Sequence, residues 1–345
     1  MKVAFYKAVG NIEIQERPIP KAGPGQAVIK IKLNGICGTD MHLYFNGDVV
    51  VKPGIVLGHE NVGTVYELGE GVTGFKIGDR VVAGPPGPCG ECYFCMHGHS
   101  NICIKAFPNT NGLMVDGGEA EYMLVKDPKY MLTKIPDNLS FEDAVLTDTI
   151  ATAYRGVTQS AFKMGDNVVV SGAGPIGLSV ISILKMGGAR HITALEVVEA
   201  RQKLALDLGA DVVFDPKKEG DKLIGKINDL YGGIGPDLVI EAAGVSQSFE
   251  LCTMLPRAGG QLLNLGVNSE PSKVIQALMV VKELNIKSSL AYGIDEERQV
   301  IDLMSTGKLK TRGLYSGSVP LVDIVEKGFK RLAADKSLIK LAVAP

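Results

Sequence analysis

Three observations predict an α/β chain in two parts, a β-rich region and a doubly wound parallel sheet. The first ~150 of 345 residues hold short runs with strand alternation, broken by glycine turns. From about residue 165, apolar runs alternate with helical segments, the pattern of strands crossing over through helices. A glycine motif, SGAGPIG, stands between the first of these runs and the first helix.

In AVIKIKLNG, Ile29, Ile31 and Leu33 alternate with Lys30, Lys32 and Asn34, which predicts a half-buried strand with Asn34 on its polar face. ENVGTVYELG and DRVVAG continue the β-rich region. The runs NVVVSG, HITALE, DVVFD, PDLVIEA, QLLNLG and NIKSSL are the strands of the second part. Between them, EARQKLALDLGA reads as a helix with Ala200, Leu204, Ala205 and Leu208 on one face and Gly209 past its end. After about residue 290 a helical stretch and the strand LIKLAVA return to the first region. No internal repeat or low-complexity tract interrupts this order.

A net charge of −2, with pI near 6.2, provides no basic footprint for nucleic acid or an anionic membrane. The uncharged run 167–184 has the length of a membrane helix, but its glycines and proline suit a strand, a tight turn and a helix start better. The start MKVAFYKAVG lacks the long apolar region of an export signal, so the expectation is a soluble protein of the reducing cytoplasm. There, clustered cysteines bind metal more often than they pair.

Gly172, Gly174 and Gly177 form GxGxxG, and Glu196 ends the next strand 19 positions later. Glycine at the first two positions permits a tight turn and close approach to a pyrophosphate at the helix N-terminus, and the third lets helix pack on strand. Glu196 is expected to accept hydrogen bonds from the adenosine ribose hydroxyls and to repel a 2′-phosphate. That favours NAD over NADP. Arg201, a turn into the following helix, is expected to face solvent.

Cys89, Cys92, Cys95 and Cys103 have the spacing CxxCxxCx7C, a complete tetrahedral set for a structural zinc. His97 and His99 lie inside the loop but are surplus to it. Catalysis needs an incomplete set, and Cys37 with His59, 22 residues apart, is suggestive of one that lacks a third ligand.

In order, GICGTDMH, GHE, GDRV, the four-cysteine loop and VSGAGPIG with its acidic partner resemble the zinc-dependent medium-chain alcohol dehydrogenases over essentially the whole chain. The resemblance implies a GroES-like catalytic domain (1–151) with both zinc sites, a Rossmann NAD-binding domain (152–289) and a C-terminal return (290–345). It implies two zinc ions per chain, and Asp148 as the third catalytic ligand where many members have cysteine. An oxygen ligand is harder than thiolate and leaves zinc a stronger Lewis acid. Glu60 is the family's occasional extra ligand. Asp40 is implied to hold the second nitrogen of His59, while Thr39 is implied to take the alcohol proton and pass it through the nicotinamide ribose hydroxyl to His42 and solvent. Thr152, Ile176 and Val267 match positions at the nicotinamide end. Pro175 and Gly266 complete the cofactor candidates, and Lys340 matches a position that reaches the pyrophosphate.

The implied substrate is a small secondary alcohol, polyol or ketone, with threonine and butanediol-type dehydrogenases as alternatives. A homodimer or homotetramer is implied. A zinc-ribbon binding module leaves GxGxxG, Cys37 and His59 unexplained, and a zinc-free reductase leaves Cys37, His59 and Asp148 unused. Counting metal separates the three: two ions per chain, one, or none.

Overall fold

In a computed structural model of the protein, residues 1–48, 51–84 and 87–345 are described. They form two compact units. The first comprises residues 1–148, 291–306 and 315–345, and the second comprises 149–290 and 307–314. The C-terminal return expected from residue 290 is therefore interrupted, because 307–314 belongs to the second unit. One anchor of this excursion is local: Lys310 O accepts from Ser182 Oγ at 2.9 Å.

The second unit holds a six-stranded parallel sheet. Its order across the sheet is Val212–Phe214, His191–Leu195, Asn167–Ser171, Leu238–Glu241, Gln261–Asn264 and Asn285–Ser288. In chain order this is 3-2-1-4-5-6, the doubly wound dinucleotide-binding arrangement, which places its switch point beside Asn167–Ser171. The central strands are buried on both faces, which is why they read as unbroken apolar runs. Val169, Leu195, Val239 and Leu262 pack with Ile227 and Cys252 in the core on one side of the sheet. The uncharged run resolves into the strand Asn167–Ser171 and the helix Pro175–Met186. Among the described residues, no helix is long and apolar enough to cross a membrane. In the helix Glu199–Leu208 only Ala205 and Leu208 are buried, and Ala200, in the first turn, is exposed.

The first unit is built on a seven-stranded sheet in which Ala27–Gly35 pairs with Glu60–Leu68, Tyr122–Val125 and Lys340–Ala344. Ile29, Ile31, Val65, Val81 and Leu132 fill its core. The alternation in Ala27–Gly35 breaks at Asn34, which is buried rather than on a polar face. Its Nδ2 donates to Asn61 Oδ1 at 2.8 Å, so a paired amide replaces solvent there.

Candidate metal centre and dinucleotide turn

Strand register brings the scattered ligands together. Gly35 is opposite Glu60 and also opposite Ala342, so Cys37, His59 and Lys340 all emerge at the same end of the sheet. A Cβ on Gly35 would lie 2.1 Å from Glu60 Oε2, so glycine there lets the glutamate close over the strand end. Cys37 is the N-cap of the helix Gly38–Asn46. Asp40, three residues on and fully buried, accepts from Cys37 N at 2.8 Å through Oδ2. Its Oδ1 faces His59 Nδ1 at 3.4 Å, a charge contact that leaves Nε2 as the metal-binding nitrogen. Burial works against the His59 imidazolium, but Asp40 and Cys37 outweigh it and raise the pKa well above the usual range.

Ligand atoms of Cys37, His59 and Glu60 lie within 4.8 Å of one another. This nitrogen, sulfur and oxygen set fits zinc. Asp148 lies outside that trio, whose oxygen donor is Glu60, delivered directly by the strand register. Asp148 is nonetheless close by: burial, then the charge of Glu60, push its carboxyl up to about 6, while His59 pulls the other way. It lies in the first turn of the helix Thr147–Thr158, and its Oδ1 accepts from Tyr292 Oη at 2.7 Å.

The expectation for Lys340 is revised. This residue is buried, not extended toward a pyrophosphate. Its Nζ donates to both Glu60 oxygens at 2.6 and 2.7 Å and to Ile36 O at 3.3 Å, which commits all three of its hydrogens. Desolvation lowers its pKa, but Glu60 outweighs this and the net shift is upward. Thr39 and His42 are exposed on the first helix, with Thr39 Oγ1 3.7 Å from Cys37 Sγ and His42 Nδ1 3.2 Å from Asn46 Nδ2.

The four-cysteine loop forms a second centre. Sγ–Sγ distances are 3.5 Å for Cys92–Cys95 and Cys89–Cys103, 3.8 Å for Cys92–Cys103 and 4.0 Å for Cys89–Cys95. A tetrahedron with Zn–S of ~2.3 Å has edges of ~3.8 Å. The spacing is too long for disulfides, and all six cysteines are free. Backbone N–H donation pulls the Cys92 thiol down to about 6, whereas burial and the neighbouring sulfurs push Cys95 up to about 12. Four thiolates this close need a cation to ionise together. His97 stacks on Tyr93 and His99 is exposed; neither is in the cluster.

In the second unit, Gly172 has φ of +93° and would push a Cβ to 2.7 Å from the Ala243 backbone. At Gly177 a Cβ would meet Gly172 O at 1.8 Å. A Cβ on Gly174 meets no protein atom within 4 Å, so that turn lies open at the N-terminus of the helix that Pro175 and Ile176 begin. The turn fits a pyrophosphate. The buried Glu196 accepts from Ala173 N at 2.8 Å, Val197 N at 2.8 Å and Val198 N at 2.9 Å. Three of its roughly four acceptor sites are thus used, leaving room for one ribose hydroxyl rather than two. Arg201 is half-buried instead of facing solvent. Thr152 lies on the helix of Asp148, Val267 is exposed, and Gly266 packs against Glu241, whose Oε2 a Cβ would meet at 2.1 Å.

Sequence reasoning missed several residues. Tyr292 carries no motif. Glu119, fully buried without a side-chain partner, stands in GGEAEYMLV, where a glutamate among strand residues was the available signal. Burial, then Asp40, raise its pKa well above the carboxylate range. Glu297 is a second buried carboxyl, and burial pushes it up to about 8 although the Thr133 hydroxyl pulls the other way.

Comparison with known proteins agrees with this geometry. The alcohol dehydrogenase GroES-like domain family matches residues 23–137, and the zinc-binding dehydrogenase family matches 175–306. A probable D-xylulose reductase A of Aspergillus fumigatus is 34% identical, over 96% of this chain and 93% of that one. The (R,R)-butanediol dehydrogenase of Bacillus subtilis is 34% identical, with all of both chains covered. The crystal structure of the Bacillus subtilis 2R,3R-butanediol dehydrogenase superposes with a TM-score of 0.89 at 33% identity, covering 100% of this chain and 99% of that one. The chain belongs to the zinc-dependent medium-chain alcohol dehydrogenase family and is an oxidoreductase acting on CH–OH donors.

Proposed function

We propose that this protein interconverts a secondary alcohol and its ketone with NAD(H), the alcohol carbon lying in a vicinal diol or polyol. The observation that carries the reading is the mixed sulfur, nitrogen and oxygen cluster of Cys37, His59 and Glu60 with Asp148 nearby. Unlike the four-sulfur loop, such a set suits an open catalytic position. The relatives named for xylulose and butanediol act on molecules that carry an oxygen on the neighbouring carbon, which supports the diol or polyol class.

Zinc held there supplies Lewis-acid polarisation of the alcohol oxygen, and the dinucleotide supplies the acceptor for hydride. Cys37, His59 and Asp148 hold the metal, and Glu60 is an alternate oxygen ligand. Asp40 fixes the ring of His59 and keeps Nε2 directed at the metal. Thr39 accepts the hydroxyl proton as it passes its own onward, and His42, one helical turn on and exposed, releases a proton to solvent. Gly172, Gly174 and Gly177 cradle the pyrophosphate, with Pro175, Ile176, Thr152, Gly266 and Val267 as the further cofactor contacts. The Glu196 carboxylate opposes a 2′-phosphate. Lys340 balances the charge of Glu60. Six free thiols fit a reducing, cytoplasmic setting. Exposed Ile275, Val280, Val281 and Leu290 support a homodimer or homotetramer.

The test is a panel of secondary alcohols, vicinal diols, polyols and threonine, each with NAD+ and NADP+, scored by kcat/KM alongside a zinc count. Two zinc ions per chain and highest kcat/KM on a diol or polyol with NAD+ are expected. Preference for threonine or a primary alcohol, or turnover without zinc, overturns the reading.

A further inference from the structure

We propose that Tyr292 is a positioning residue of the catalytic metal centre, its hydroxyl setting the rotation of the Asp148 carboxylate and thereby the lifetime of the bound metal. The inference rests on the reading of Asp148 as a ligand. Tyr292 is 2% exposed, and its hydroxyl donates to Asp148 Oδ1 at 2.7 Å across 144 positions of sequence. A buried phenol needs an acceptor, and a backbone carbonyl would have served. The chain instead reaches a carboxylate at the metal centre, and it does so through an uncommon backbone. Ala291 has φ of +50°, one of two non-glycine residues with positive φ among those described. A left-handed alanine persists only where its surroundings enforce it.

The other flank of Tyr292 is fixed as well. Gly293 is the N-cap of the helix Ile294–Ser305, and its N–H donates to Glu296 Oε2 at 2.9 Å. The ring is therefore clamped between a constrained alanine and a capped helix, with its hydroxyl directed at one carboxylate. Hydrogen bonds to a ligand from outside the coordination shell orient it, and losing one typically costs 10–100-fold in metal affinity.

The experiment measures zinc release to a chelator from the full holoenzyme of wild type, Tyr292→Phe and Asp148→Asn, following the catalytic and four-cysteine sites separately. Tyr292→Phe keeps the ring and its packing. It is expected to release catalytic-site zinc about 10–100-fold faster, with four-cysteine zinc released at the wild-type rate. Asp148→Asn is expected to release catalytic-site zinc faster still. Faster release from both sites of Tyr292→Phe indicates general loosening and overturns the positioning role. Wild-type release from Tyr292→Phe, with rapid loss from Asp148→Asn, also overturns it while leaving Asp148 a ligand. Wild-type release from Asp148→Asn instead removes the ligand reading on which the inference stands.

Discussion

The two cysteine-bearing centres of the first unit differ in how their ligands are brought together. The loop takes four sulfurs from residues 89–103 and closes them to within 4.8 Å of one another. The proposed catalytic centre would draw on Cys37, His59, Glu60 and Asp148, with Tyr292 and Lys340, distant in sequence, bonded to two of them. A closed four-thiolate site needs only a short flexible segment, and the metal itself can organise it. An open site must stay shaped while one position is left for substrate. Its ligands therefore stand on strand ends and helix starts that the core holds in place.

The largest expected effect tests this division of labour. Cys37→Ser should lower kcat by about 10³-fold or more, with little change in melting temperature, because an open-site ligand is lost from a rigid frame. Cys95→Ser should lower the melting temperature by on the order of 10 °C while the catalytic centre still binds metal. Activity assays, thermal melts and zinc counts on both variants check the contrast. Unchanged melting of Cys95→Ser with loss of activity alone would reverse the two assignments.

Next comes the buried ion pair at the catalytic centre. Lys340→Met removes the ammonium from the Glu60 carboxylate, and breaking a buried pair in this way costs about 3–5 kcal/mol. The double variant Lys340→Met/Glu60→Gln should recover most of that stability in denaturant titrations. If Lys340→Met leaves stability intact and raises only the KM for the dinucleotide, the lysine belongs to the pyrophosphate after all.

Glu297 sharpens the comparison by pH. Its folded pKa of about 8 lies above the unfolded value of about 4.3, so folding favours its protonated form. Its contribution is most favourable below pH ~4.3 and is lost as pH rises through about 8. Between pH 6 and pH 8 the loss is about 2–3 kcal/mol. Glu297→Gln should remove this slope, so its stabilisation over wild type grows from pH 6 to pH 8. A pH-independent difference would show that the carboxyl is neutral or solvated across the range.

The smallest effect concerns the second unit. Wild type is expected to prefer NAD+ over NADP+ by about tenfold or more in kcat/KM, and Glu196→Ala to narrow that ratio. The preference should be modest because backbone N–H groups already share the carboxylate. Wild-type preference for NADP+ would refute the role of Glu196 and leave the zinc chemistry untouched.

Whatever depends on short-range pattern is legible in the sequence alone. The parallel sheet announced itself in apolar runs alternating with helices, because strands covered on both faces carry few polar residues. GxGxxG and CxxCxxCx7C were readable for a related reason: a tight turn or a metal loop constrains only its immediate neighbours. Tertiary structure decided what depends on register and burial. Asn34 kept the alternation of a polar-face residue, but pairing with Asn61 buried it. Lys340 could have been any lysine near a C-terminus until the register of Lys340–Ala344 against Ala27–Gly35 set it on Glu60. Tyr292, Glu119 and Glu297 bear no motif. Their chemistry comes from loss of solvent and from partners more than 100 residues away or absent altogether. Sequence encodes such pairings only through the whole fold, since two strands slipped by one residue would carry the same composition and a different centre.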